Sequence, residues 1–266
     1  MSLIPLVPVD GTIASSYDTA GKTGVPRAGL RPLAKLGKAG IATADTAAAL
    51  KALSDAVLAA GGDFRVTECH RDVGVQKAAR AKYDAWVAAG KPKPGTPGFN
   101  DKTMKAAFVA TPGRSMHNAG RAIDVDLGSL KFPNTAADQQ LDKLWEIAKP
   151  LGWSPIIKTA DERASEAWHF DFYGDIQGVL GRLGYEQAAL CGAILVGHGD
   201  LSGFGAEVQA LLCRAGFDIG KIDGAPGAKT RAGLVTALGV TDAEAGRIIS
   251  AKDTSCFPRL LALPAR

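Results

Sequence analysis

Two imidazoles and a carboxylate stand out by type and spacing. His117 precedes a short alternating run, Ala122-Ile123-Asp124-Val125-Asp126-Leu127, and His169 lies in a second run, Trp168-His169-Phe170-Asp171-Phe172-Tyr173. Successive side chains of a strand point to opposite faces. Ile123, Val125 and Leu127 then share one face, and Asp124 and Asp126 the other. In the second run Trp168, Phe170 and Phe172 form the apolar face, and His169, Asp171 and Tyr173 the polar one. If both strands turn their apolar sides to one core, Asp124 and His169 emerge on the same open face of a sheet. Gly120 supplies a tight turn that folds His117 back toward Asp124. Carboxylates are rarely buried without a partner or a metal. Two imidazoles with one carboxylate suit a catalytic zinc, which keeps three protein ligands and leaves a position for water. Glu166, close to His169 in sequence, is placed to act as general base on that water. Asp126 and Asp171 are candidate acceptors for the far nitrogens of the ligand imidazoles.

At these residues the chain resembles a known family. Ser115 to Asp124, SMHNAGRAID, is similar to the Ser-x-His-x-x-Gly-x-Ala-x-Asp signature of the VanY-like zinc D-alanyl-D-alanine carboxypeptidases, and EAWHF, Glu166 to Phe170, to their Glu-x-Trp-His motif. The family includes vancomycin-resistance carboxypeptidases and phage L-alanyl-D-glutamate endolysins, and shares its fold with Hedgehog signalling domains. The resemblance implies Zn²⁺ on His117, Asp124 and His169, with Glu166 as the base. It also implies that Arg71, after a strand, binds the scissile carbonyl or a substrate carboxylate, with Gln76 beside it. Ser115 either touches substrate or holds the His117 loop.

The elements that must position these groups follow from pattern. Thr43 to Ala60 reads as a helix stopped by Gly61-Gly62, Phe64 to Glu68 as a strand, and Asp72 to Trp86 as a helix. Lys91 to Asn100 is loop material expected to wall a substrate groove with Lys91 and Lys93. Asp138 to Leu151 reads as an amphipathic helix with Leu141, Leu144, Trp145 and Ala148 on one side, and Trp153 to Ile157 as a further strand. The expected fold is α+β, a small antiparallel sheet with flanking helices carrying the zinc site, plus a small all-α C-terminal domain. The expected boundaries are an irregular arm at 1–40, a catalytic domain at 41–180, a linker at 181–198 and the helical domain at 199–266.

From residue 199 the chain resembles the small peptidoglycan-binding module found beside many wall hydrolases. Val208, Gln209, Leu212, Gly216, Ile222, Asp223, Gly224, Gly227 and Thr230 carry that pattern. The resemblance implies peptidoglycan, stem peptide and glycan, as partner.

Composition narrows the class without choosing the bond. The 266 residues are 46% hydrophobic, with no apolar run long enough to span a membrane. A net charge of +4, from 31 basic and 27 acidic residues, gives no argument for nucleic acid and is compatible with an anionic wall polymer. A monomer is expected. The first residues, MSLIPLVPVDG, lack the basic start of a signal peptide, although the expected place of action is the bacterial wall, periplasmic or extracellular. Cys69, Cys191, Cys213 and Cys256 include no CxxC pair, and the last three could pair in an oxidising compartment. The function expected is hydrolysis of peptidoglycan stem peptides, as a D-alanyl-D-alanine carboxypeptidase. L-alanyl-D-glutamate endopeptidase and a non-catalytic zinc-containing wall-binding protein are the alternatives.

Overall fold

The computed structural model describes residues 2–16 and 27–266. Part of the expected N-terminal arm therefore lies outside the described residues. The rest of the arm is more ordered than expected. It contributes β1 (Leu6–Pro8), β2 (Ala14–Ser15) and β3 (Arg31–Pro32), with β4 (Ile41–Thr43) closing a two-stranded sheet on β1.

Helix α1 (Ala44–Ala59) buries Leu50, Leu53 and Val57, a stripe at helical spacing. Strand β5 (Arg65–Glu68) then leads into α2 (Val73–Ala88), whose N-cap Asp72 accepts from the Gly74 amide. After a long stretch without regular elements come β6 (Ala122–Val125), α3 (Gln140–Ala148), β7 (Trp153–Pro155) and β8 (His169–Phe172). Leu141, Leu144, Trp145 and Ala148 are the buried face of α3, as their spacing predicts.

The main sheet has the order β3-β2-β5-β6-β8-β7. Its pairs are antiparallel except β2 with β5. The chain is thus α+β, with a small, mainly antiparallel sheet. One face of the sheet carries Val66, Ile123, Val125 and Phe170 into a core with α1 and α3. The register sets Glu68 opposite Asp124 and Asp124 opposite His169. These three lie in one row across β5, β6 and β8, and cross-strand partners share a face.

The C-terminal part is helical: α4 (Gln177–Leu183), α5 (Tyr185–Leu195), α6 (Phe204–Arg214), α7 (Ala228–Leu238), α8 (Asp242–Ala251) and α9 (Phe257–Leu261). The stretch expected as a linker is no loose tether, because α5 buries every residue from Gln187 to Leu195. Its core continues beneath the His117 loop and takes in Met116, Ala122 and Tyr173. Gly192 allows this approach: a Cβ there would lie 2.8 Å from the Ala119 Cβ. Buried Arg121 pairs with Asp45 at 2.8 Å and with Asp175 at 2.5 Å, and Asp175 in turn pairs with Arg214 of α6 at 2.5 Å. The two cores are therefore joined by a charged bridge as well as by apolar contact.

The residues of the wall-module pattern do structural work within this bundle. Gln209 accepts from the amides of Asp223 and Gly224 at 3.1 and 2.8 Å and donates to the Asp223 carboxylate at 2.8 Å. Val208, Leu212 and Thr230 are buried. All four cysteines are free and buried. Cys69 follows β5, Cys191 lies in α5 and Cys213 in α6, and Cys256 precedes α9. Among the described residues no helix is long and apolar enough to cross a membrane.

Candidate metal centre and peptide cleft

His117 reaches the sheet by the turn that Gly120 permits. The loop from Ser115 to Arg121 closes through Ala119 N–H to Ser115 O, Gly120 N–H to His117 O and Arg121 N–H to Met116 O, at 2.9–3.1 Å. Gly120 has φ +64°, and a Cβ there would run into the Leu6 side chain. The Gly120 carbonyl accepts from the Thr43 amide at 3.1 Å, which anchors the turn to β4.

The turn brings three donor atoms to one point. His117 Nε2 and His169 Nδ1 are 3.1 Å apart, and each is 3.1 Å from Asp124 Oδ1. The set is a group of side chains that could hold a metal ion, found among the described residues. The far nitrogens explain why it fits a cation. His117 Nδ1–H donates to the Cys69 carbonyl at 2.7 Å, and His169 Nε2–H donates to the Asp171 carboxylate at 2.8 Å. With His117 Nδ1 and His169 Nε2 so engaged, the opposite ring nitrogens are the ones that face Asp124. Two imidazole nitrogens and a carboxylate then converge, an arrangement that a proton or a metal cation at its centre stabilises. Burial alone would lower the His169 pKa, but hydrogen bonds and charge from Asp124 and Asp171 push it up to about 10. Asp124 is held well below the usual carboxylate range by the two histidines, against the opposing effect of burial. Asp171 is fully buried and also accepts from the Tyr173 hydroxyl at 3.1 Å. Asp126, expected to share the supporting role, contacts neither imidazole: it ends the strand, with its amide on Arg65 O and its carbonyl on Ser129 Oγ.

The centre forms the floor of a cleft of about 240 Å³ that also includes Arg71, Gln76, Lys105, Phe108, Ser115, Ile156, Glu166, Trp168 and Tyr185. Arg71 enters from the β5 end. Its guanidinium pairs with Glu68, with Nε–Oε2 at 2.9 Å, and approaches Asp124 Oδ2 at 3.4 Å. Burial weakens its charged state, but the Glu68 hydrogen bond and carboxylate charges outweigh that and raise its pKa. Gln76 is buried, accepts from Arg71 at 3.2 Å and donates to Ala110 O at 2.9 Å. It therefore fixes the arginine. Ser115 Oγ accepts from the His117 amide at 3.3 Å and so holds the loop while lining the cleft. Glu166 sits at φ +68°, a left-handed backbone unusual for a residue with a side chain.

Some expectations need correction. Trp168 is not part of the apolar core. The turn at Glu166 interrupts the alternation before β8 begins, Ala167 takes the core position, and Trp168 lines the cleft. Lys91 and Lys93 do not line the cleft; Lys91 lies over the Trp86 ring at 5.8 Å. The wall is built further along, from Lys105 to Ala110. Lys105 makes no ion pair among the described residues. Sequence reading also missed Glu68, Asn118 and Tyr185. Asn118 is fully buried, donates to Arg71 O at 2.7 Å and accepts from Gly113 N–H at 3.0 Å, tying the Arg71 segment to the His117 loop. Its place one residue after His117 was the available signal. His70 is buried with both ring nitrogens unpartnered and its ring edge on His198, with centroids 4.6 Å apart. Burial, then His198, pushes its pKa down to about 4.

A sequence model of the family described as VanY, D-alanyl-D-alanine carboxypeptidase, matches residues 41–175, just over half the chain. The matched segment holds every residue of the centre and, apart from Tyr185, every residue of the cleft. No protein of curated function matches the chain.

Proposed function

Because the chain belongs to the VanY family of D-alanyl-D-alanine carboxypeptidases, we propose that it is a zinc peptidase that removes the terminal D-alanine from peptidoglycan stem peptides. The observation that carries this reading is the convergence of His117, Asp124 and His169 on one point, with the far ring nitrogens held by the Cys69 carbonyl and Asp171, beside Glu166 and Arg71 in one cleft. Zn²⁺ suits two imidazoles and a carboxylate, and when bound it supplies Lewis acidity that polarises a carbonyl and acidifies water. Glu166 takes a proton from the attacking water as its oxygen bonds to the scissile carbonyl carbon. As the carbon–nitrogen bond breaks, Glu166 delivers that proton to the departing D-alanine amine. Arg71, held by Glu68 and Gln76, stabilises the negative charge that develops on the carbonyl oxygen. Asp171 and the Cys69 carbonyl hold the two rings in the required tautomers.

Lys105 favours the carboxypeptidase over the endopeptidase. It offers the cleft a cation with no ion pair among the described residues, suited to a free terminal carboxylate, whereas Arg71 is occupied by Glu68 and Asp124. The test is a pentapeptide stem offered with a free C-terminus and as its amide. Release of D-alanine from the acid, with most activity lost on the amide, is expected; equal cleavage of both, or a cut after L-alanine, assigns the endopeptidase.

The reading extends to the rest of the chain. We divide it, as proposed units, into the arm at 1–40, the peptidase at 41–180, the connection at 181–198 and a wall-binding helical part at 199–266, acting on the wall outside the cytoplasm as a monomer.

A further inference from the structure

Tyr185 is the one described cleft residue contributed from beyond the segment that matches the family. It opens α5, directly after Gly184 at φ +80° turns the chain out of α4. The rest of α5 is buried from Gln187 onward, but Tyr185 is 38% exposed and faces the cleft holding His117, Asp124, Glu166 and His169. Burial, then the charges of Asp171 and Glu166, push the phenol well above its ordinary pKa. It therefore stays protonated through the working range and can only be a neutral hydrogen-bond donor or acceptor there. Its neighbours decide which ligand atom it suits. Two carboxylates beside it disfavour a second anion, while a peptide carbonyl oxygen is a neutral acceptor that needs a donor.

We propose that Tyr185 is a substrate-binding residue supplied to the peptidase cleft by the C-terminal helices, its hydroxyl donating to a backbone carbonyl of the stem peptide. Arg71 pairs with Glu68 at the β5 side of the row Glu68, Asp124, His169, and Tyr185 lines the same cleft as Glu166, three residues before the β8 residue His169. A peptide crossing the centre is thereby gripped at both ends of that row. The terminal carboxylate falls to Lys105, so the two walls read different parts of one substrate. This inference rests on the peptidase reading, and it makes the C-terminal helices part of the active site.

The experiment is Tyr185→Phe in the full-length, zinc-loaded protein, assayed on the free-acid pentapeptide beside the wild type. The ring and its packing are kept and only the hydroxyl is lost. The expected result is a roughly tenfold fall in kcat/KM, the rate equivalent of a hydrogen bond worth about 1.4 kcal/mol in the transition state. Zinc content and melting temperature stay at the wild-type values, which a merely structural role for the hydroxyl would not predict alongside the kinetic loss. If the wild type cleaves and Tyr185→Phe matches it, the inference falls while the peptidase reading stands. If the wild type cleaves no stem peptide, the peptidase reading falls and takes this inference with it.

Discussion

Glu166 combines two observations that are each unusual alone. Its backbone is left-handed at φ +68°, and its side chain is among the cleft-lining groups beside the metal centre. A non-glycine residue in that conformation costs on the order of 1–3 kcal/mol and persists only where the surroundings enforce it. Here the enforcing partner is the hydrogen bond from His169 N–H to Glu166 O at 3.0 Å, which closes the turn onto the ligand strand. The proposed base and a proposed metal ligand are thus set by one local structure. Glu166→Gln is expected to keep zinc, since none of the three converging donors is removed, and to lower kcat by about a hundredfold or more. Elemental analysis beside the kinetics checks both halves. Loss of zinc in the variant would make Glu166 a ligand, and near-normal activity would move the base elsewhere.

Among the elements, legibility followed periodicity. The strand through Asp124 and the buried stripe of α3 were readable because alternation and helical spacing report local geometry directly. The His117 turn was readable because glycine at 120 admits a positive φ. Trp168 was misplaced because the same alternation was run backward through a turn, where period two no longer holds. Lys105 and Tyr185 had no local signal. Each reaches the cleft through its place in the tertiary fold, and a side chain's neighbours across the fold leave no mark in its own segment. The His117 turn also offers a test at this scale. Gly120→Ala places a side chain in left-handed backbone against Leu6, and is expected to cost about 1–3 kcal/mol of stability. Because the turn carries a ligand, zinc affinity falls with it. Thermal unfolding and competition with a chelator measure the two effects; a variant unchanged in both would show that the turn does not position His117.

For the whole molecule, the second core decides what can be separated. Met116, just before His117, and Ala122, between His117 and Asp124, share a core with α5, α6 and α7, and the charged bridge from Asp45 through Arg121 and Asp175 ends on Arg214. A chain ended at residue 198 would expose that core and leave Asp175 with Arg121 alone. The truncated chain is expected to give low soluble yield and a lowered melting temperature rather than an independent peptidase. A stable, fully active fragment would show that the helices are an appendage. Wall binding is therefore best measured on the full chain, by sedimentation with insoluble peptidoglycan, where failure to sediment refutes the targeting role. The cysteines add a chemical consequence to this packing. Burial is the largest cause holding all four thiols above their ordinary range, with Cys213 near 12 and Cys256 near 11. The thiolate is the species that exchanges disulfides. At neutral pH these groups are expected to stay protonated and out of reach, and the melting temperature is expected to be the same in reducing and oxidising media.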